Sequence, residues 1–172
     1  MKLQFLGATG TVTGSKYLLQ NQSGHTLIDC GLFQGFKQLR LRNWHNFPLQ
    51  PSRIDRVILT HAHIDHTGYL PLLVRNGFHG PVYCTSATRD LCEILLLDSA
   101  KLQEEEAEFA NRHSFSKHKP ALPLYDRHDA QKALRQLKVV EMGRQITLDE
   151  DTAFRFEPSG HILGSAFVCL ES

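Results

Sequence analysis

The chain has 172 residues, of which 41% are hydrophobic and 22% charged, and its formal net charge is +1. This length and composition are typical of one globular domain, exclude a disordered chain, and leave no apolar run near the roughly 20 residues that cross a bilayer. The nearly neutral charge gives no electrostatic footprint of nucleic-acid binding, and we expect no membrane association.

The first part of the chain predicts strands separated by glycine-containing turns. Apolar and β-branched runs bounded by turn residues predict strands at 3–6, 16–20, 25–30 and 53–60. Residues 21–24 suit the turn of a hairpin between the second and third strands. Residues 32–52 predict a loop with one short helix. Residues 67–76 predict a helix that ends at Gly77, which suits a C-cap.

The second part predicts two helices and five short strands. One helix is predicted at 87–111, and another from the N-cap Asp126 to about residue 137, with a loop at 112–125 between them. The strands are predicted at 81–84, 138–141, 145–148, 153–157 and 165–170. Because strands and helices alternate, we predict an α/β fold in which helices cover sheets.

The segment 61–66, His-Ala-His-Ile-Asp-His, places four metal-binding side chains within six residues directly after a predicted strand. In an extended segment, side chains two residues apart point the same way, so His61 and His63 are predicted to bind one ion together. Asp65 and His66 follow the turn and are predicted to face a second ion. Imidazole suits zinc and its neighbours, and this spacing is difficult to explain by packing alone.

Two further residues are candidates because of where they lie. His161 lies in a glycine-flanked loop after a predicted strand and is the natural third ligand of the first ion, although alone it would be an ordinary loop histidine. Three histidines with an open position form a catalytic zinc pattern, and two ions about 3.5–4 Å apart would hold a bridging hydroxide. Asp29, near the end of a strand, is unremarkable by itself.

The remaining histidines and the cysteines predict no site. The other histidines have no partner spacing and are predicted to be surface residues: His25, His45, His79, His113, His118 and His128. The cysteines are scattered without a Cys-x-x-Cys pair, which predicts reduced, mostly buried thiols in a cytoplasmic protein. They are Cys30, Cys84, Cys92 and Cys169.

Four motifs spread along the chain carry a family resemblance. His-x-His-x-Asp-His after a strand resembles the mark of the metallo-β-lactamase superfamily, and the four together resemble its β-CASP branch of RNA-processing nucleases. The motifs are Gly7-Ala8-Thr9-Gly10-Thr11-Val12-Thr13-Gly14-Ser15, Leu27-Ile28-Asp29-Cys30-Gly31-Leu32-Phe33-Gln34-Gly35, Leu59-Thr60-His61-Ala62-His63-Ile64-Asp65-His66-Thr67-Gly68 and Ser159-Gly160-His161-Ile162-Leu163-Gly164-Ser165-Ala166.

The resemblance implies a four-layer αββα fold, two zinc ions with manganese as an alternative, and hydrolysis of RNA phosphodiester bonds. It implies that His61, His63 and His161 bind one ion, and that Asp65 and His66 bind the other. It also implies catalytic roles for the carboxylates of Asp65, as a ligand, and of Asp29, which orients the site. RNA is therefore the expected partner.

The chain departs from the family pattern in what it lacks. We find no counterpart of the bridging aspartate, of a further histidine for the second ion, or of the β-CASP domain. Residues 1–172 are therefore expected to be a partial metallo-β-lactamase domain, its N-terminal half, without the C-terminal part. We expect one zinc ion or fewer, little or no activity of this chain alone, and self-association through an exposed sheet edge.

Two other functions stay open on the sequence. One is a hydrolase of a small substrate, thioesterase-like or lactamase-like, on the same fold, which composition does not exclude. The other is a non-catalytic scaffold fragment that binds little metal. Metal content and cleavage of single-stranded RNA separate these possibilities from the nuclease.

Overall fold

The computed structural model describes residues 1–22, 24–150 and 152–171, and its framework is a six-stranded sheet. The strands follow chain order: β1 (Lys2–Phe5), β2 (Tyr17–Asn21), β3 (Gly24–Ile28), β4 (Arg56–Ile58), β5 (Val82–Cys84) and β6 (Leu137–Val139). The first three are antiparallel, and β3 to β6 are parallel. The predicted hairpin is confirmed as β2 and β3, although Ser23 of its turn lies outside the described residues.

A second, three-stranded sheet packs on the first. Its strands are β7 (Ile146–Thr147), β8 (Ala153–Pro158) and β9 (Ala166–Glu171), all antiparallel. Phe154 and Phe156 are two residues apart on β8, so both point towards the first sheet. There they pack in a buried cluster that includes Ile58. Burying each ring stabilises the fold by about 1.5–3 kcal/mol, so these two phenylalanines join the sheets.

Helices cover the opposite face of the first sheet. The helices are α1 (Lys37–Leu41), α2 (Ile64–Thr67), α3 (Leu70–Arg75), α4 (Ser86–Arg112) and α5 (Arg127–Leu134), with short 3₁₀ turns at Arg42–Trp44 and Pro51–Arg53. Of these, α1 contributes no buried residue to the core. Val57 lies in the core shared with these helices, whereas its neighbour Ile58 faces the second sheet. Successive strand side chains point to opposite faces, so one short strand serves both cores.

The α/β class is confirmed, because parallel strands and helices alternate along much of the chain. The described residues form three layers of the four expected, in the order helices, sheet, sheet. Asp126 is the N-cap of α5, as predicted, and forms a capping box with Asp129. That helix ends at Leu134, and Leu137 belongs to β6, so the predicted end near residue 137 is wrong.

The predicted single helix at 67–76 is also wrong, because the structure has two helices there. The first, α2, already begins at Ile64, inside the histidine segment, and ends at Thr67. Pro71 has no N–H to donate to the carbonyl of Thr67, and its ring would collide with that carbonyl in a continuous helix. Proline is tolerated in a first turn, so a new helix, α3, begins at Leu70.

Three further predictions concern the cysteines, membrane association and the sheet edge. Cys30, Cys84 and Cys92 are buried, Cys169 is half-buried, and all four are unpaired, as expected. None of the described helices combines the length and apolarity that a membrane span requires. Every residue of the edge strand β1 is exposed, and pairing of a sheet edge with another copy stays a prediction.

Candidate metal centre

Three segments that follow strands, two loops and a loop that runs into α2, meet at one edge of the first sheet and carry all the predicted site residues. Asp29 directly follows β3, and the histidine segment follows the parallel neighbour β4. Carboxyl ends of adjacent parallel strands lie at the same edge, which explains why these two loops touch. The loop with His161 joins β8 and β9, and the N–H of Ala166 donates to the carbonyl of Thr60 at 2.9 Å, which brings it to the same place.

The structure brings together the three histidines predicted for the first ion. One ring nitrogen from each of His61, His63 and His161 lies within 4.8 Å of the others. Nε2 of His61 is 3.1 Å from Nδ1 of His63, and Nε2 of His161 is 3.3 Å from the same Nδ1. Tetrahedral zinc with bonds of 2.0–2.1 Å places neighbouring nitrogens about 3.3 Å apart. This donor set therefore fits zinc.

The two residues predicted for a second ion lie beside this cluster. Oδ2 of Asp65 is 3.7 Å from Nε2 of His66, and the ring of His66 lies 4.0 Å from the ring of His61, between centroids. Both side chains are on α2, whose first turn begins inside the histidine segment. Two donor atoms face the same space here, which is fewer than the three or four that a zinc site needs.

Asp29 lies behind the histidines, buried to 2% exposure, with its backbone in the left-handed region at φ 57°. Its carboxylate accepts hydrogen bonds from Nδ1 of His66 at 2.7 Å, from the hydroxyl of Ser15 at 3.2 Å, and from both the N–H and the hydroxyl of Thr60 at 2.9 and 3.0 Å. Aspartate is one of the few residues besides glycine that adopts this conformation. Asp29 thus contacts His66 and Thr60 rather than the nitrogen atoms of the first cluster.

The pKa values of His61 and His66 are shifted in opposite directions by their surroundings. Burial, followed by repulsion from His66, lowers the pKa of His61 from 6.5 to about 4. Burial also opposes protonation of His66, but its hydrogen bond to Asp29 and the charges of Asp29 and Asp65 outweigh it and raise the pKa of His66. His61 is therefore neutral at pH 7, as a metal ligand must be, whereas the raised pKa of His66 favours its protonated form.

Backbone hydrogen bonds join the loops around the site. The segment after Asp29 lies between the first glycine-rich loop and α2: the N–H of Cys30 donates to the carbonyl of His66, and the N–H of Gly31 to that of Ser15. A Cβ on Gly31 would lie 1.6 Å from the carbonyl oxygen of Asp65. Only glycine permits this approach, which places Asp29 under His66.

Ser165 holds the loop that carries His161. Its hydroxyl oxygen accepts hydrogen bonds from the N–H groups of His161 and Ile162, both at 3.0 Å, and from the hydroxyl of Ser159 at 2.8 Å. It donates to the carbonyl of Ile162 at 2.7 Å. His161 itself is exposed, whereas Gly164 in the same loop lies against the start of α4, where its carbonyl accepts hydrogen bonds from the hydroxyls of Thr85 and Thr88 at 2.7 and 3.1 Å.

Sequence reasoning missed three residues that support the site: Ser15, Thr60 and Ser165. Each lies inside a quoted motif, but a hydroxyl side chain carries no spacing signal of its own. The signal that was available is position, because Thr60 directly precedes the first histidine and Ser165 follows His161 by four residues.

Comparison with known proteins gives one family match and several relatives. The family model described as Metallo-beta-lactamase superfamily matches residues 9–152. A ribonuclease of Thermus thermophilus is 39% identical over 168 residues, which are 98% of this chain and 34% of the relative. A transcription termination factor, FttA of Methanothermobacter thermautotrophicus, is 33% identical over 171 residues, 98% of this chain and 25% of the relative. The chain thus spans about a quarter to a third of these relatives.

Solved structures share the fold at low sequence identity. A metallo-beta-lactamase of Cronobacter sakazakii superposes with a TM-score of 0.58 at 19% identity, covering 98% of this chain and 54% of that one. The subclass B3 enzyme BJP-1 of Bradyrhizobium japonicum gives a TM-score of 0.53 at 17% identity, over 95% of this chain and 52% of that one. At such identities the likeness concerns the fold alone.

Proposed function

Because the chain belongs to the metallo-beta-lactamase superfamily, we propose that it forms the zinc-binding part of a hydrolase that cuts RNA. The observation that carries this proposal is the convergence of three imidazole nitrogens at zinc-compatible distances on one open edge of the sheet. The printed names of the relatives, a ribonuclease and transcription termination factors, favour RNA as the substrate. They agree with the RNA-processing branch that the motifs resemble.

In this proposal the residues have distinct tasks. His61, His63 and His161 hold the first zinc ion, while Asp65 and His66 face the second. A bound zinc ion polarises a phosphoryl oxygen and lowers the pKa of water. Asp29 keeps His66 oriented through the bond from Nδ1, so that Nε2 faces the position of the second ion. His161 is exposed, which leaves the open side of the cluster accessible to a polymer.

We further propose that the 172-residue chain by itself is a poor catalyst. The first site has three ligands, but in the part of the chain that the structure describes the second has only Asp65 and His66. Two-metal hydrolysis needs both ions to stabilise the attacking and the leaving oxygen. We therefore expect one zinc ion or fewer per chain, and manganese as a possible replacement.

Metal content and cleavage of labelled single-stranded RNA test this proposal together. The metal-free chain is loaded with zinc or manganese, desalted, and measured by elemental analysis, and the same sample is incubated with RNA and, separately, with a chromogenic β-lactam. About one ion without turnover supports a filled first site and an incomplete second site, whereas no bound ion would favour the scaffold. Two bound ions with cleavage of RNA would refute the proposal that the second site is incomplete. Cleavage of the β-lactam would show that the chain is a hydrolase of a small substrate instead.

A further inference from the structure

Thr60 joins all three loops of the candidate metal centre. Its N–H donates to Oδ1 of Asp29 at 2.9 Å, and its carbonyl accepts from the N–H of Ala166 at 2.9 Å. Its hydroxyl oxygen is 3.0 Å from each carboxylate oxygen of Asp29 and 2.9 Å from Nδ1 of His61. The hydroxyl therefore lies between a buried carboxylate and a ring that offers its other nitrogen to the first ion.

The hydrogen count decides the direction of these bonds. An ionised carboxylate can only accept, and a threonine hydroxyl has one proton. If that proton pointed to Nδ1 of His61, unshielded oxygens of Thr60 and of the buried Asp29 would face each other at 3.0 Å. The stable arrangement is that Thr60 donates to Asp29 and accepts from Nδ1–H of His61.

We propose that Thr60 is a positioning residue through which Asp29 fixes the tautomer of His61, leaving its Nε2 unprotonated towards the first metal site. Asp29 orients His66 directly, at 2.7 Å, and orients His61 through the hydroxyl of Thr60. One buried carboxylate thereby prepares a ligand for each of the two ions. This inference rests on the proposed metal site but not on RNA as substrate.

The unmodified, metal-free chain gives a first test that involves no substitution. Long-range ¹H–¹⁵N correlation spectra of the imidazole rings distinguish a protonated Nδ1 from a protonated Nε2. We expect the neutral ring of His61 to carry its proton on Nδ1. A proton on Nε2 would overturn the proposal, even if the chain binds zinc and even if it cuts RNA.

A matched pair of variants separates the hydroxyl from the shape of the side chain. Thr60→Val keeps the size and removes the hydroxyl, whereas Thr60→Ser keeps the hydroxyl and removes a methyl group. Outer-shell partners of metal ligands typically change affinity 10- to 100-fold, so we expect zinc affinity to fall about 10- to 100-fold in the valine variant and to stay near the parent value in the serine variant. Competition with a chromophoric chelator measures both.

Spectra of the same variants keep the test independent of stability. Thr60→Val is expected to show His61 as a mixture of tautomers, and Thr60→Ser the single parental form. Equal losses of zinc affinity in both variants would assign Thr60 to packing and overturn the proposal. Parental zinc affinity together with the parental tautomer in Thr60→Val would do the same.

Discussion

The four histidines of the candidate metal centre form two pairs that are held in different ways. The anchored pair, His61 and His66, has its Nδ1 atoms hydrogen-bonded to Thr60 and Asp29, behind the site. The open pair, His63 and His161, has ring hydrogen bonds only within the cluster, among the residues that the structure describes. The extremes of exposure fall in different pairs, since His61 is 8% exposed and His161 is an exposed residue, while His63 and His66 are both half-buried.

The way a histidine is held does not depend on which ion it is proposed to bind. The proposed first site takes one ligand from the anchored pair and two from the open pair. We infer that the anchored pair is preorganised by its hydrogen bonds to Thr60 and Asp29, whereas the open pair acquires its final orientation with the ion. Substitutions near the anchored pair and near the open pair are therefore expected to have different effects.

Loss of an open ligand is expected to have the largest effect. In His63→Ala, two imidazoles remain, too few for a zinc site, so we expect first-site affinity to fall by more than about 100-fold, beyond the effect of an outer-shell change. Elemental analysis after desalting measures the bound zinc. His128→Ala, an exposed histidine outside the cluster, is the control. Unchanged zinc stoichiometry in His63→Ala would refute its assignment as a ligand.

The close approach of Gly31 to the backbone of Asp65, beneath the anchored pair, predicts the next largest effect. Gly31→Ala places a methyl group against the backbone of Asp65, and we expect it to destabilise the fold by about 3 kcal/mol or more. Gly35→Ala is the matched control, because its φ is +82° but no atom lies within 4 Å of an added Cβ. We expect it to cost about 1 kcal/mol. Urea unfolding measures both, and equal effects would contradict the close approach.

Lys16 lies next to Gly31, beneath the anchored pair, and its burial predicts that the free energy of unfolding depends on pH. Its ammonium donates to the carbonyl of Gly31 and lies over the rings of Phe33 and Tyr69, at 4.5 and 4.8 Å from their centroids. Burial lowers the pKa of Lys16 from 10.5 to about 8, so between these values the unfolded chain binds more protons than the folded one. Stability from this group therefore rises with pH across that window and is lost as pH falls through about 8.

Between pH 7.5 and 9.5 this rise amounts to about 2 kcal/mol. We expect urea unfolding of the parent chain to gain that much stability relative to Lys16→Met over the same interval. Because every other titrating group is shared, the difference between the two chains isolates Lys16. Parallel pH profiles would show that the lysine is not buried as described.

The smallest effect is expected in the loop of the open pair. Ser165→Ala removes the hydroxyl that holds the N–H groups of His161 and Ile162, so His161 should be less well placed for the ion. We expect zinc affinity to fall about tenfold, with little change in the free energy of unfolding. Ser159→Ala, which removes a bond to Ser165 alone, should be milder. A larger loss in Ser159→Ala would contradict this account.

Sequence patterns predicted the strands and the long helix α4, at 87–111 against Ser86–Arg112, but not the break between α2 and α3. Strands such as β8 were visible because alternating apolar residues mark them. The break before Leu70 was missed, although Pro71 was the available signal. The spacing of apolar residues carries no information about the hydrogen bond that Pro71 cannot donate. One continuous helix was therefore predicted across this position.

The sequence by itself determined the family, the α/β class and the residues with metal-binding chemistry, because these depend on residue type and local spacing. Only the tertiary structure decided which nitrogen of each histidine faces the first site, and that Asp29 and Thr60 lie behind it. Asp29 and His66 are 37 residues apart in the chain. Such contacts arise from strand order and from the close approach at Gly31, neither of which has a local sequence signal.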